Sequence, residues 1–427
     1  MIKNNLYRKG LVVTIIIIFF TLPISPVIVT SMSNEYLLPH PTAVDMTLMD
    51  AIFQRMSVRG YTDQNVTDED LSTVLWAAYG YRDDGNRTVP GIDGIHAAVI
   101  YVLKKDAVYR YDPLNHSLIF YKEGDYRYIG QYDAPTQLGL VWDKNKSDNE
   151  NYSGAEMGAI GQNIQFMASA LNLGTVVTGE VPSPIDEIGL PSNEIGKIIM
   201  PLGYPNFSYD FTYRPMWLSF LPRIKESGTS LLTVLEERSE TTSFTGNLTR
   251  NEVSQVIWAS YGYSYLLDKS NAPKNPIKRH RTVPSAHGYY PLHMYAVTKS
   301  GIYRYIHGVF SFDKWGLPIV SFMLKIRNGD TREEIAQASQ PFVASAPLLI
   351  LSVLDIRKTN QWDDLSAEKF RWIWHYEAGA SAHNVLLQAK AWSLSANIVP
   401  IINTESIRSL LKLNDNYSPL FIVPIGK

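Results

Sequence analysis

Leu71-Ser-Thr-Val-Leu-Trp-Ala-Ala-Tyr-Gly-Tyr81 returns later in the chain as Val253-Ser-Gln-Val-Ile-Trp-Ala-Ser-Tyr-Gly-Tyr263. A match this long between distant parts of one chain marks a duplicated unit. Each stretch is preceded by a threonine and an acid at capping-box spacing, Thr67 with Asp70 and Thr249 with Glu252. The hydroxyl can accept a first-turn N–H while the carboxylate sits at the positive end of the helix, so both are read as helix starts. Apolar residues at Leu71, Val74, Leu75 and Ala78, matched by Val253, Val256 and Ile257, recur at helical spacing and define one buried stripe. Gly80 and Gly262 are placed to end these helices.

The repetition extends outward from the helices in the same order. Arg87-Thr-Val-Pro90 and Arg281-Thr-Val-Pro284 follow, then apolar strands ending in Val108-Tyr-Arg-Tyr111 and Ile302-Tyr-Arg-Tyr305. The second copy carries extra residues before its Arg-Thr-Val-Pro, including the basic stretch Lys274 to Arg281, which is expected as a solvated surface loop. Glu156-Met-Gly158 with Gln162-Asn163 recurs as Glu377-Ala-Gly379 with His383-Asn384, each opening a long alanine-rich helical segment. Ile198 to Gly203 and Leu420 to Gly426 close each copy as a buried strand. Helices mixed with several short β runs per copy predict an α+β sandwich, duplicated to form an intramolecular pseudo-dimer. The expected organisation is a leader at 1–33, a first repeat at 34–222 and a second at 223–427, joined near Pro222 to Gly228.

A chain of 427 residues with 45% hydrophobic and 19% charged residues buries a large core. Its formal charge of -2 gives nucleic acid no electrostatic footprint, so no nucleic-acid partner is expected. The absence of cysteine excludes disulfides, thiolate nucleophiles and cysteine metal sites. Lys3, Arg8 and Lys9 precede an uncharged apolar run from Leu11 to Thr30, the pattern of a signal peptide or an N-terminal membrane anchor. Either form puts the rest of the chain outside the cytoplasm, exported or membrane-anchored. Eight Asn-X-Ser/Thr sequons, at Asn65, Asn86, Asn115, Asn145, Asn151, Asn206, Asn247 and Asn416, suit an extracellular chain. No HExxH, nucleophile elbow or phosphate-binding Gly-Lys-Ser/Thr loop occurs, and the histidines at 280, 287 and 293 lack interleaved carboxylates, so no metal is expected.

Three further motifs complete the first copy. Arg55-Met-Ser57-Val-Arg59-Gly-Tyr61 sets two arginines around a serine after a helix, a plausible clamp for an anion such as a phosphate. Asn172-Leu-Gly174-Thr-Val-Val-Thr178-Gly179 is a helix-to-strand turn, and Pro201-Leu-Gly-Tyr-Pro205 closes the terminal strand. Together they resemble the flavin-dependent nitroreductase family, in particular its azoline-oxidising branch, and the resemblance runs through both copies from about residue 42 to 427. It implies an oxidoreductase that holds FMN between two subunits, with a small-molecule substrate and NAD(P)H as the candidate electron donor. One subunit would supply the phosphate clamp, the N5-side turn and a late basic residue, and the other a Pro-Ser loop. A fused pair of copies would play both subunits in one monomer.

The copies carry different parts of that pattern. The first keeps Arg55, Ser57, Arg59, Thr178, Gly179 and a late basic residue, Arg214, yet its loop reads Pro90-Gly-Ile-Asp-Gly94 with an acid intruding. The second has the fitting loop, Pro284-Ser285-Ala286-His287-Gly288, but its clamp positions read Arg238, Glu240 and Thr242. A carboxylate there repels a phosphate. The resemblance therefore implies a single composite FMN site, built from the first copy's clamp and the second copy's loop. The competing reading is a non-catalytic exported protein of the same fold that binds another ligand or partner.

Overall fold

The computed structural model describes residues 34–208, 211–212, 220–267, 279–309, 320–359 and 370–427. The apolar run Leu11 to Thr30 and Arg214 lie outside the described residues, and no described helix is long and apolar enough to cross a membrane. Eight helices are described: α1 Leu48–Gln54, α2 Asp68–Tyr79, α3 Glu150–Ala170, α4 Leu231–Glu237, α5 Arg250–Tyr261, α6 Arg332–Gln337, α7 Arg371–Ala391 and α8 Thr404–Leu410.

The duplicated helices are α2 and α5. Thr67 accepts the Asp70 N–H and Thr249 the Glu252 N–H, as their spacing predicts. The reciprocal half of the box closes only in α5, where the Glu252 carboxylate takes the Thr249 N–H; in α2 the Asp70 carboxylate takes the Tyr204 hydroxyl instead. Gly80 and Gly262 end the two helices because the Trp76 and Trp258 indoles fold back over them to reach the Tyr81 and Tyr263 carbonyls at 3.0 and 2.7 Å. A Cβ at either glycine would collide with that indole and with the carbonyl of the tryptophan's own backbone.

Each copy builds one antiparallel sheet, and the two sheets share one strand order except for an outer strand, Glu35–Leu37, described only in the first. The first runs Glu35–Leu37, Ser117–Glu123, Ala107–Asp112, Ala98–Leu103, Thr136–Asp143, Glu194–Gly203 and Gly174–Thr175. The second runs Val320–Asn328, Gly301–Val309, Leu292–Thr298, Leu348–Asp355, Tyr417–Gly426 and Ser395–Ala396, with Val399–Pro400 also on Tyr417–Gly426. The expected fold class, a duplicated α+β unit, is the one observed. A small third sheet joins Phe211–Thr212, Tyr263–Leu267 and Arg279–Arg281.

The long helices begin earlier than the repeated Glu-x-Gly motif, at Glu150 and Arg371, and pack on each other between the two sheets. Both are buried almost all round, which explains why neither shows a polar stripe and why both are rich in alanine and glycine. Their backbones nearly touch. A Cβ at Gly158 would overlap the Tyr376 carbonyl, one at Gly379 the Ala155 carbonyl, and one at Gly154 the Trp372 carbonyl. Across this contact His383 Nε2 meets Asn163 Oδ1 at 2.7 Å, while the Asn163 amide donates to the Ala77 carbonyl at 2.8 Å.

The copies are also tied at their helix starts. Leu48 N–H donates to Thr229 at 3.0 Å and Leu231 N–H to Met46 at 2.9 Å, a reciprocal exchange between the starts of α1 and α4. The cores interleave as well: Trp258, Trp372, Tyr376 and Leu387 complete the apolar cluster of the first copy, and Ile92 and Ala155 that of the second. Each copy also keeps a smaller cluster of its own, around Tyr101 and Ile185 in the first and around Val297 and Leu349 in the second. Gly158→Val and Gly379→Val are each expected to lower stability by about 3 kcal/mol or more, because a β-branched side chain must wedge apart backbones that cannot yield elsewhere. Thermal unfolding of the two variants measures it; wild-type midpoints would contradict this packing.

Candidate functional site

The residues singled out in the sequence converge on the seam between the copies. Arg55 caps α1 and is buried, with Nη1 donating to Gln165 Oε1 at 2.8 Å and Nη2 to the Arg281 carbonyl of the second copy at 2.9 Å. Arg281 stands three residues before Pro284. The first copy's clamp and the second copy's loop are thereby joined by one guanidinium. Ser57 is half-buried, and Arg59 is exposed with Nη1 on the Ser57 carbonyl at 3.1 Å. The segment is held in line by the Val58 N–H on the Thr175 carbonyl at 2.9 Å. Thr178 bridges Ile199 through backbone and hydroxyl, and Gly179 behind it is exposed.

Pro284, Ser285, Ala286 and Gly288 lie on a tight bend with φ of 51° at His287 and 71° at Gly288, both left-handed. Ser285 Oγ donates to Glu377 Oε2 at 2.6 Å and accepts the Tyr290 N–H at 2.9 Å. Tyr261 hydroxyl donates to the other carboxylate oxygen of Glu377. Arg281 is not in a surface loop as the basic stretch suggested. It is 9% exposed, with its guanidinium 5.0, 4.9 and 4.2 Å from the ring centres of Tyr261, Tyr263 and Tyr290. Stacking on aromatic faces compensates a guanidinium for lost water, which outweighs its preference for the surface. Arg279 stands in the same strand, Arg279–Arg281, and Lys274 and Lys278 lie outside the described residues.

The second seam uses equivalent positions differently. Arg238 caps α4 and reaches the Arg87 carbonyl at 3.3 Å, the mirror image of the Arg55 contact. Its Nη1, however, is held by Glu240 at 2.5 Å, and Arg82 of the first copy donates to the Arg238 and Glu236 carbonyls. Thr178 pairs with Ile199 in the first copy, as Val399 pairs with Ile422 in the second, so Pro400 stands where Gly179 does. A proline offers no N–H to a ligand. The loop Pro90 to Gly94 keeps the same bend, with φ of 56° at Asp93 and 73° at Gly94, but Ile92 fills the place of Ala286 and is 1% exposed.

The anchoring carboxylates were visible as a repeated Glu-x-Gly motif, but their work was not. Glu156 accepts from the Tyr79 hydroxyl and from the Ala97 and Ala98 N–H groups, each at 2.8 Å, and meets His96 Nδ1 at 2.7 Å. Gln165 as partner of Arg55 left no signal in the motif. The Pro400 substitution was readable by setting Val399-Pro400 against Thr178-Gly179.

The nitroreductase family profile matches residues 52–204 and 245–427, and the chain belongs to the nitroreductase family. FMN is the cofactor that goes with this family. A Methanocaldococcus jannaschii protein described as a nitroreductase is 30% identical over 186 residues, covering 38% of this chain and 93% of that protein. An Anabaena variabilis crystal structure described in the same terms covers 90% of this chain and 95% of its own with a TM-score of 0.65 at 14% identity, so both halves of the fold recur in another single chain. A Desulfovibrio desulfuricans structure, in complex with FMN, is 22% identical and covers 40% of this chain and 93% of its own, with a TM-score of 0.30.

Burial pushes the Glu377 carboxyl up to about 7, against the downward pull of the Ser285 and Tyr261 hydrogen bonds. A folded pKa above the ordinary 4.5 means that the protonated acid favours the fold: this contribution is full below pH 4.5 and is lost as pH rises through about 7. Glu377→Gln should therefore gain stability on wild type between pH 5 and pH 8, by roughly 3 kcal/mol. Parallel unfolding curves for the two proteins across that range would count against the assignment.

Proposed function

We propose that this chain is an FMN-dependent oxidoreductase with one composite flavin site, formed by Arg55, Ser57, Arg59, Thr178 and Gly179 of the first copy and Pro284, Ser285, Ala286 and Gly288 of the second. The observation that carries the reading is the Arg55 guanidinium on the Arg281 carbonyl, which brings clamp and loop to one seam. The residues present suit a flat, anionic cofactor. A Cβ at Gly179 would meet only the Lys197 carbonyl at 3.4 Å and one at Gly288 nothing within 4 Å, so the chain leaves room on both sides of the seam. Bound FMN would supply two-electron transfer to or from a small organic substrate, with NAD(P)H as the candidate donor.

The chain's own residues then divide the work of binding. Arg59 and Ser57 remain accessible to meet a phosphate, whereas Arg55 has both terminal nitrogens on protein groups and supports the segment from beneath. The Pro-Ser loop supplies small side chains and a left-handed backbone that lets the chain approach a ring closely. At the other seam Glu240, Ile92 and Pro400 each remove something a flavin needs: free positive charge, space and a backbone donor. We further propose that the folded part works outside the cytoplasm behind the Leu11 to Thr30 segment, and that it is monomeric, since the two copies already satisfy each other's interface.

Titration with FMN, followed by its visible absorption, is expected to saturate at one flavin per chain. Arg59→Ala should weaken binding by roughly 1.5–3 kcal/mol, the scale of a charge-assisted hydrogen bond. Arg55→Ala should weaken it too and also lower the unfolding temperature. Arg238→Ala should lower the unfolding temperature while leaving FMN affinity near wild type. Two equivalent flavins, or a colourless protein that takes up none, would overturn the proposal. Sedimentation at micromolar concentration is expected to give a monomer, and an obligate dimer would contradict the intramolecular interface.

A further inference from the structure

The two buried glutamates of the long helices hold equivalent positions, and each takes a tyrosine hydroxyl from the neighbouring helix, Tyr79 in the first copy and Tyr261 in the second. What they do with their second oxygen differs. Glu156 Oε2 accepts two backbone amides, Ala97 and Ala98, and so pins the start of a strand. In the second copy the place of Ala97 is taken by Pro291, which has no N–H, and the Leu292 amide turns to the Tyr261 hydroxyl at 3.3 Å. The oxygen released from the strand is the one that Ser285 reaches. In the first copy the residue at the place of Ser285 is Gly91, with no hydroxyl to offer.

We propose that Glu377 is a positioning residue for the flavin-facing loop: through Ser285 Oγ it locks residues 285–290 in the bend that faces the clamp of the first copy. The hydroxyl is a two-way bridge, donating to the carboxylate and accepting the Tyr290 N–H, so it closes a ring of chain between Ser285 and Tyr290. Inside that ring Tyr290 has φ of 49°, a left-handed conformation that its counterpart His96 does not share and that a residue other than glycine adopts only when the surroundings hold it there. Pro291 and Ser285 are thus one linked pair of changes: the carboxylate that holds the strand start and the His96 ring in the first copy holds the serine of the loop in the second. The inference rests on the flavin reading for its functional meaning, but its structural content can be tested without flavin.

The test uses the full chain in four variants, Glu377→Ala, Glu377→Gln, Ser285→Ala and Glu156→Ala, with two readouts: FMN affinity by titration and hydrogen exchange at the Tyr290 amide in the flavin-free protein. Loss of a buried partner is expected to weaken FMN about ten- to hundredfold in Glu377→Ala and Ser285→Ala. The same two variants should speed exchange at Tyr290. Glutamine keeps an acceptor oxygen for Ser285, so Glu377→Gln should stay close to wild type in both readouts. Glu156→Ala loses a matching buried acid and should lose stability, yet leave FMN affinity and Tyr290 exchange unchanged. An unaltered Tyr290 amide in Ser285→Ala, or an equal loss of FMN in Glu156→Ala and Glu377→Ala, would overturn the proposal. Should Glu377→Ala fail to fold, Ser285→Ala and Glu377→Gln still decide it. Should wild type take up no FMN, the flavin reading fails, and the exchange rates alone decide the role of Glu377.

Discussion

Two helices packed so closely that glycine is required on both sides set the plan of this molecule. Gly154 and Gly158 of α3 and Gly379 of α7 let the helix backbones approach to a distance that no side chain permits. Everything that crosses between the copies is measured from that contact. The Asn163–His383 pair sits on it, α1 and α4 exchange amides beside it, and the two arginines that end those helices each reach a carbonyl of the other copy. Interfaces packed this densely transmit small changes rather than absorbing them. The seam is therefore a rigid platform on which loops with unusual backbone conformations can be held.

On that platform the copies have kept one geometry and parted in chemistry. The bends at Asp93-Gly94 and His287-Gly288 agree within a few degrees in φ, and the backbone pairs at Thr178 and Val399 fall at matching registers. Only the side chains differ. At one seam stand the half-buried Ala286 and Ser285 and the exposed Arg59; at the other stand the buried Ile92, Glu240 paired with Arg238, and Pro400. Conserving a backbone while changing what it presents is how one scaffold carries different sites.

The sequence disclosed the duplication, the capped helices and the class of fold because each rests on local patterns: capping residues, a helical apolar stripe and a repeated order of parts. It also brought out the residues on both sides of the seam, since Arg55 to Arg59 and Pro284 to Gly288 are short contiguous motifs. What it could not disclose depends on contacts between distant segments. Arg281 read as part of a solvated loop because basic residues run up to it, although it also opens the repeated Arg-Thr-Val-Pro; its burial among three tyrosines is a contact between segments that the run of charge hides. Nothing local shows that Asp70 leaves its helix cap for Tyr204, or that Glu377 serves a loop while Glu156 serves a strand. Those assignments follow from which group competes for a given oxygen, and that is settled only in three dimensions.

A symmetric assembly of identical chains enters each amino-acid change twice, so a residue on the axis must tolerate its own image. Here each change is made once. His383 faces Asn163 rather than another histidine, and its donor finds an acceptor without a matching demand elsewhere. The same freedom let the two loops differ, with Ile92 buried in one and Ala286 only half-buried in the other. Joining the copies end to end thus did more than raise their local concentration: it separated the inheritance of the two seams, so that each can change without the other.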